Sequence, residues 1–305
     1  MKFNRMNPVL LGYMRLMRPA NLPTAAADVL AGITIAGISM DTYYMAVGDV
    51  ELWPNDLFLC LSSVALYAGG VVLNDVFDHK IDSIERPERP IPRGLVPLRS
   101  AALLGVLLLL LGIGLAFVVN DLSGVIAIVL ALAILLYDAI TKQFSFVGPL
   151  NMGLCRGLNL ILGMSIAGHV DHYDYALIPV VYIFAVTLIS RGEVRAGNKK
   201  HLIWAGLLYA VVVFAVFTIL PDKPESLLRT APFFLLFIVL IYSPLINAYK
   251  QNTPQNIQKA VIWGVMAIVA LDAILASGFF NLWYGLLVIL LLPLSRVMAR
   301  VFAVT

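Results

Sequence analysis

Asn74, Asp78 and Asp82 recur every four residues within VVLNDVFDHKIDSIERPERPIPRG, residues 71–94, where an apolar run passes into carboxylates, arginines and prolines. On an α-helix each four-residue step rotates by about 40° and rises roughly 6 Å, so the three side chains share one face. Their oxygens are the donors that hard cations take. Mg²⁺ usually binds through one or two carboxylates plus substrate phosphates, keeping several waters. The rise from Asn74 to Asp82, about 12 Å, is too long for one ion but suits a ladder along a metal-bridged diphosphate. Asp75 lies about 100° from Asn74 around the helix and is expected to stand apart, as a capping or supporting residue. Pro87, Pro90 and Pro92 should end the helix. Beyond them the chain should run extended, and in polyproline geometry, with about three residues per turn, Arg86 and Arg89 point the same way and can grip phosphate oxygens. The plainer reading is the solvated end of a membrane helix with a positive loop, but three metal-capable side chains in one row exceed what topology requires.

The elements that carry this row must be membrane helices. Of 305 residues, 61% are hydrophobic and 13% charged, with mean hydropathy +0.91, against roughly 25% charged in a soluble domain. A helix needs about 20 apolar residues to cross the hydrocarbon, and about ten such stretches occur. They fall near 20–40, 57–77, 100–119, 122–140, 148–167, 176–190, 202–220, 231–247, 258–278 and 283–298. The fold class expected is therefore all-α: a polytopic bundle of about nine to ten helices in one domain spanning 1–305, with no nucleic-acid partner. The basic N-terminus lacks the short apolar core and small-residue cleavage site of a signal peptide. Cys60 and Cys155 fall inside predicted spans without partners at their own depth, so no disulfide or metal pair is expected.

Charge orients the bundle. Residues 41–56 contain no Lys or Arg and carry interface aromatics, whereas the 78–99 loop holds five Lys or Arg. On these boundaries every Lys and Arg except Lys223, Arg229 and Arg156 falls on one side, which the positive-inside rule makes cytoplasmic. Both termini and the acidic row then face the cytoplasm, with a compact external loop at 168–175, and the chain is assigned to a bacterial inner (cell) membrane.

Other polar residues stand at span ends or inside spans. Tyr137 and Lys142 close the fourth span. Lys142 could neutralise a diphosphate oxygen, and Tyr137 could orient it or face a carbocation with its ring, although both types also mark membrane interfaces generally. The fifth span holds Asn151, Arg156 and Asn159. A central Arg costs about 2.5 to 3.5 kcal/mol on insertion scales and usually faces a cavity or a partner, so Arg156 is either a site residue or a structural partner of Asp272. Asn21, between Pro19 and Pro23, suits a helix cap.

The row and the following RPERPIPRG resemble the Asn-Asp-x-x-Asp-x-x-x-Asp signature of the UbiA superfamily, intramembrane prenyltransferases that join an isoprenyl diphosphate to an acceptor. Tyr137 with Lys142 looks like that family's Tyr/Lys pair after its fourth helix, and the likeness covers most of the chain. It implies a UbiA-like bundle and prenyl transfer with Mg²⁺. The metal would be held by Asn74, Asp78 and Asp82 together with Glu193 and Asn198 of a second loop. Asp78, Asp82, Lys142 and Tyr137 would be catalytic, and Arg86, Arg89, Asn21, Arg156, Arg195 and Lys199 would bind the diphosphate. The implied partners are an isoprenyl diphosphate, a small acceptor, aromatic or other, and membrane lipid. The second loop, SRGEVRAGNKKH, departs from the family pattern: Glu193 is its single acid, Asn198 stands where an Asp is expected, and Arg191, Arg195, Lys199 and Lys200 make it basic. Fewer carboxylates would hold a second cation less firmly. The Ser-Arg-Gly-Glu-Val run resembles the EboC-like branch, which would suit an atypical acceptor. The rival readings are a transport or lipid-handling protein that binds a phosphorylated head group, a CDP-alcohol phosphotransferase, whose Asp-Gly and Ala-Arg dipeptides are missing from the first motif, and a non-catalytic relative.

Overall fold

The computed structural model describes residues 7–47, 53–192, 196–220 and 224–302, the side chains of 38–47, 53 and 224 excepted. Within these residues the fold is helical throughout, without strands. A short amphipathic helix, α1 (Pro8–Leu16), precedes the bundle; Asn7 caps it, its Oδ1 accepting from Val9 N at 2.9 Å, and Pro8 occupies its first turn. The long helices follow as α2 (Leu22–Val47) and α3 (Trp53–Phe77), then a short α4 (His79–Glu85), α5 (Leu98–Val119), α6 (Asp121–Ala139), α7 (Val147–Met164), α8 (Leu177–Ser190), α9 (Lys199–Ile219), α10 (Pro224–Lys250) and α11 (Pro254–Phe279). The final apolar stretch is two helices, α12 (Leu282–Ile289) and α13 (Leu291–Phe302), which meet at Leu290. Among the described residues nine helices are long and apolar enough to cross a membrane, the last of them Leu282–Phe302. Helix α2, with 26 residues, adds a helix of spanning length beside them. The chain is a multi-pass integral membrane protein.

Small residues let these helices approach closely. A Cβ added at Gly32 of α2 would lie 2.3 Å from Leu160 O of α7, and one at Gly163 of α7 would lie 2.2 Å from Val29 O of α2. Backbone thus meets backbone at this crossing, as small residues permit where lipid offers no hydrophobic drive for association. In α5 the buried positions Ala101, Gly105, Leu109, Gly112 and Ala116 recur at helical spacing and face α3. Ser62 of α3 donates to Gly112 O at 2.6 Å. The opposite face of α5, with Leu103, Leu107 and Leu110, is exposed and suits a lipid contact.

Two apolar cores share the α2/α7 crossing. One gathers α2 and α7 with α8 to α11, the other with α3, α5 and α6. Helix α11 is the most enclosed element, buried without interruption from Met266 to Gly278. The stretches 100–119 and 122–140 are joined as tightly as their spacing requires: α5 ends at Val119, α6 begins at Asp121, and Asn120 Oδ1 accepts from Ser123 N at 2.8 Å.

The proline-rich segment does not run extended. After α4 the backbone folds through successive turns, with Arg89 N donating to Arg86 O at 3.1 Å, Arg93 N to Arg89 O at 3.0 Å and Leu95 N to Pro90 O at 3.0 Å. The prolines stop the helix, but Gly94 at φ +72° and these turns fold the chain back, so Arg86 and Arg89 part company. Arg86 is exposed, and Arg89 turns inward.

Candidate active site

The row is built by a helix that continues across a break. Helix α3 ends at Phe77 and α4 begins at His79, yet Asp78 N still donates to Asn74 O at 3.0 Å and Asp82 N to Asp78 O at 2.9 Å. The four-residue hydrogen-bond path therefore carries Asn74, Asp78 and Asp82 along one line.

Asp75, Asp78 and Asp82 each meet a cation from elsewhere in the chain. Lys142 Nζ lies 2.5 Å from Asp78 Oδ1, each side chain about a quarter exposed. Arg89 Nη1 donates to Asp82 Oδ2 at 2.6 Å and to Asp75 Oδ1 at 3.1 Å. Arg18 Nη2 donates to the same Asp75 oxygen at 2.7 Å. Asp75 does not stand apart, as its helical angle implied. It is the buried junction that ties Arg18, ahead of α2, to Arg89, behind α4. The helix angle describes where Asp75 leaves α3 and says nothing of which segments fold over it. Arg18 itself takes a left-handed backbone, φ 48°. Burial is the largest influence on its guanidinium and lowers its pKa, but Asp75, with Tyr67 and Asp138 behind it, raises the result above the ordinary value. Arg18 is charged at any working pH.

Lys142 sits on a single turn, Thr141–Gln143, directly after α6. Asn151 of α7 fixes that turn by donating to Thr141 Oγ1 at 2.9 Å and to Ala133 O at 3.2 Å. Arg191, at the start of the second loop, donates to Phe144 O at 3.2 Å, so this loop begins beside the Lys142 turn.

Below the ion pairs a cavity of about 220 Å³ opens between α2, α3, α6 and α7. Arg18, Asn74, Tyr137 and Asp138 line its mouth, Val71, Leu130, Ile134 and Met152 its walls, and Ser63, Tyr67, Arg156 and Asn159 complete the lining. Asn74 Nδ2 donates to Asp138 Oδ1 at 2.8 Å, while Asp138 Oδ2 is buried without a hydrogen-bond partner. Arg156 pairs with Asp28 of α2, Nη1 to Oδ2 at 2.5 Å, and also donates to Thr24 O at 3.0 Å and to Thr24 Oγ1. Asn159 Nδ2 adds a bond to the same Asp28 oxygen at 2.8 Å. Asp272 of α11 adjoins Asp28 rather than taking the arginine itself. Arg156 was visible as a buried charge needing a mate. Asp28 carried the same local signal, a lone charge inside the apolar stretch 20–40, but nothing local joins it to a partner 128 residues away.

The remaining sequence candidates fall elsewhere. Asn21 ends the turn Pro19–Asn21, its carbonyl accepting from Thr24 Oγ1 at 2.7 Å. Asn198 is buried, its Nδ2 donating to Ile189 O at 2.9 Å and its Oδ1 accepting from Asn252 at 3.2 Å. Lys199 opens α9 and sits 5.5 Å from the centroid of the Tyr249 ring. Of the described sequence candidates Asn74, Tyr137 and Arg156 line the cavity, whereas Asn21, Asp78, Asp82, Arg86, Arg89, Lys142, Asn198 and Lys199 do not. Glu193 and Arg195 lie outside the described residues.

Among the described residues no three His, Cys, Asp or Glu side chains converge as a metal site of their own. Mg²⁺ does not need one, because substrate phosphates supply part of its shell. The oxygens at the cavity mouth suit a hard cation, and the unpartnered Asp138 Oδ2 leaves one donor uncommitted. The residues present fit Mg²⁺.

The helical architecture, the row of oxygen donors and the cavity beneath it define an intramembrane protein with a polar, charged mouth. A family model described as UbiA prenyltransferase family matches residues 30–221, more than half of the chain, and the chain belongs to that family. A digeranylgeranylglyceryl phosphate synthase from Methanococcoides burtonii is 36% identical over 157 residues, 51% of this chain and 55% of that protein. One from Saccharolobus solfataricus is 32% identical over 193 residues, 63% of this chain and 64% of that protein. The chain thus spans roughly half to two thirds of the length of these curated relatives. The solved structure of a UbiA homolog from Archaeoglobus fulgidus bound to GPP and Mg²⁺ has a TM-score of 0.63 at 17% identity, covering 91% of this chain and 99% of that one.

Proposed function

We propose that this protein transfers an isoprenyl group from an isoprenyl diphosphate to a hydroxyl group of a small lipid acceptor. The observation that carries this reading is the junction of two environments. Arg18, Asn74 and Asp138 line one end of a cavity whose lining is otherwise mostly apolar, and the exchangeable pair of Asp78 and Lys142 lies beside Asp138. A diphosphate belongs at the first and an isoprenyl chain in the second.

Asn74, Asp78 and Asp82 are the side chains that would hold Mg²⁺, with Glu193 as the acid of the second loop. Bound there, the ion neutralises charge growing on the leaving diphosphate. Lys142 is paired with Asp78 at 2.5 Å and can exchange that carboxylate for a phosphate oxygen, with Arg89 and Arg18 completing the cationic rim. Tyr137 lines the cavity, where its ring can stabilise positive charge on an allylic carbon. The apolar walls exclude water from that carbon. Ser63, Asn159 and Arg156 give the lining polar groups that can orient an acceptor.

The acceptor class rests on the relatives, whose names specify a glyceryl phosphate product; an aromatic acceptor has no counterpart in those names. Their organisms are archaeal, which gives no support to a bacterial membrane. The excess of Lys and Arg on the side of the acidic row supports a cytoplasmic mouth, where soluble diphosphates and Mg²⁺ arrive.

The test is mass spectrometry of lipids from membranes incubated with Mg²⁺, labelled prenyl diphosphates of several lengths and a glyceryl phosphate lipid. The expected result is a new ether-linked product, lost on chelation. Absence of product with every donor and acceptor, in membranes that contain the folded protein, would sink the transferase reading and leave a binding protein.

A further inference from the structure

We infer that Asp138 is a metal ligand of this site, supplying through Oδ2 a carboxylate from α6 to the cation held by the α3 row. The inference rests on the prenyl-transfer reading for its context but on separate observations for its content.

Asp138 is 3% exposed and lines the cavity mouth. Its two oxygens differ. Oδ1 accepts from Asn74 Nδ2 at 2.8 Å, whereas Oδ2 is buried with no hydrogen-bond partner. Leaving a buried acceptor unsatisfied costs about 1 to 3 kcal/mol, and more for a charged group, so such an atom calls for a partner that binds later. The cations nearby are already engaged: Lys142 by Asp78, Arg18 by Asp75, and Arg89 by Asp75 and Asp82. Asp138 is the acid of this group that none of them bridges.

The Asn74 bond adds a directional argument. An amide that gives its nitrogen to Asp138 turns its carbonyl oxygen the other way, and which end is which is set by this network. Asn74 Oδ1 is thereby kept as an acceptor, the form a hard cation needs. One carboxylate thus does two things: Oδ1 holds the Asn74 amide in its ligating orientation, and Oδ2, buried without a partner in a residue that lines the cavity, is left for a cation. Asp78 is close enough to act on Asp138 electrostatically, as is Lys142. Asn74, Asp78 and Asp138 make an amide oxygen and two carboxylates, a set that matches Mg²⁺ with substrate phosphates and water filling the remaining positions. The arrangement also answers a shortage in the sequence, since residues 190–201 contain Glu193 as their single acid.

The test uses purified full-length protein in lipid nanodiscs, with Mn²⁺ as the spectroscopic substitute for Mg²⁺ and inorganic diphosphate as co-ligand, and reads bound Mn²⁺ by electron paramagnetic resonance. Asp138→Asn keeps an acceptor for Asn74 and removes the anionic ligand. It is expected to weaken Mn²⁺ binding at least tenfold without turnover being measured. Asp138→Glu restores the charge and should bind within about threefold of wild type. Asp138→Ser serves in place of the Asn variant should that fail to fold, with the same loss expected. Unchanged Mn²⁺ affinity in the folded neutral variant overturns the inference while leaving prenyl transfer standing. Wild-type protein that binds Mn²⁺ but makes no prenyl product sinks the transferase reading and leaves the ligand assignment intact. Wild-type protein that binds no Mn²⁺ with diphosphate overturns both.

Discussion

The protein contains two clusters of acids and bases, and they differ in how completely their charges are committed. Beside Asp138, Asp78 and Lys142 share a single short contact while each remains about a quarter exposed. Near the α2/α7 crossing, Arg156 and Asp28 are buried, and Thr24 and Asn159 bind the same pair from two further positions. The first arrangement can trade partners. The second is held by several bonds at once, and breaking it leaves a buried charge unpaired. A ligand that brings its own phosphates and cation can therefore displace Lys142 from Asp78 at modest cost, while the Arg156 cluster stays intact beside the cavity it lines.

The largest effect should come from the buried cluster. Arg156→Leu strands Asp28, and removal of one partner of a buried pair costs about 3 to 5 kcal/mol. Thermal unfolding in nanodiscs should show a large fall in Tm, or no folded protein at all. An unchanged Tm would erase the contrast between the two clusters.

Asp78→Asn should invert that pattern. Loss of this one charge is expected to lower prenyl transfer by about 10²- to 10³-fold, the scale of removing one electrostatic contributor from a reacting centre, with Tm shifted little. Equal activity in this variant and wild type would separate the acidic row from catalysis.

Asp75→Asn tests whether a junction behaves like a ligand or like a support. It loosens Arg18 and Arg89 together, and the expected result is a rise of about tenfold in KM for the donor with a smaller change in kcat, the signature of lost positioning and ground-state binding. A collapse of kcat equal to that of Asp78→Asn would place Asp75 among the reacting groups. The smallest effect is expected at Lys199, exposed and set over Tyr249. Lys199→Ala should change transfer less than twofold and unfolding free energy by less than about 0.5 kcal/mol, as exposed substitutions usually do.

Glu193 remains the sequence feature with the sharpest chemical consequence for the second loop. As a metal ligand, Glu193→Gln should cut the rate at limiting Mg²⁺ and recover in part when Mg²⁺ is raised, whereas Glu193→Asp should be milder. An unchanged Mg²⁺ titration would exclude that loop from the metal site.

Sequence alone determined what is local or additive. Apolar runs of sufficient length place the spans, because hydrocarbon thickness imposes a minimum length on any helix that crosses it. A four-residue repeat aligns Asn74, Asp78 and Asp82, because helical rotation is nearly the same at every residue, and this survived the break between α3 and α4. Three prolines announced the end of α4, although the direction of the chain after it depended on turns that composition does not specify. Only the tertiary structure decided who pairs with whom. Asp75 looked peripheral by its angle on α3 and became a junction because Arg18 and Arg89 arrive from opposite directions. Asp28 became the partner of Arg156 because the glycines of α2 and α7 bring those helices into backbone contact. Asp138, beside a tyrosine already singled out, was left with an open oxygen by the bond it accepts from Asn74, 64 residues earlier. Helix periodicity is a property of the backbone and repeats at every residue, whereas an ion pair between helices depends on crossing points, and those are set by packing across the whole bundle.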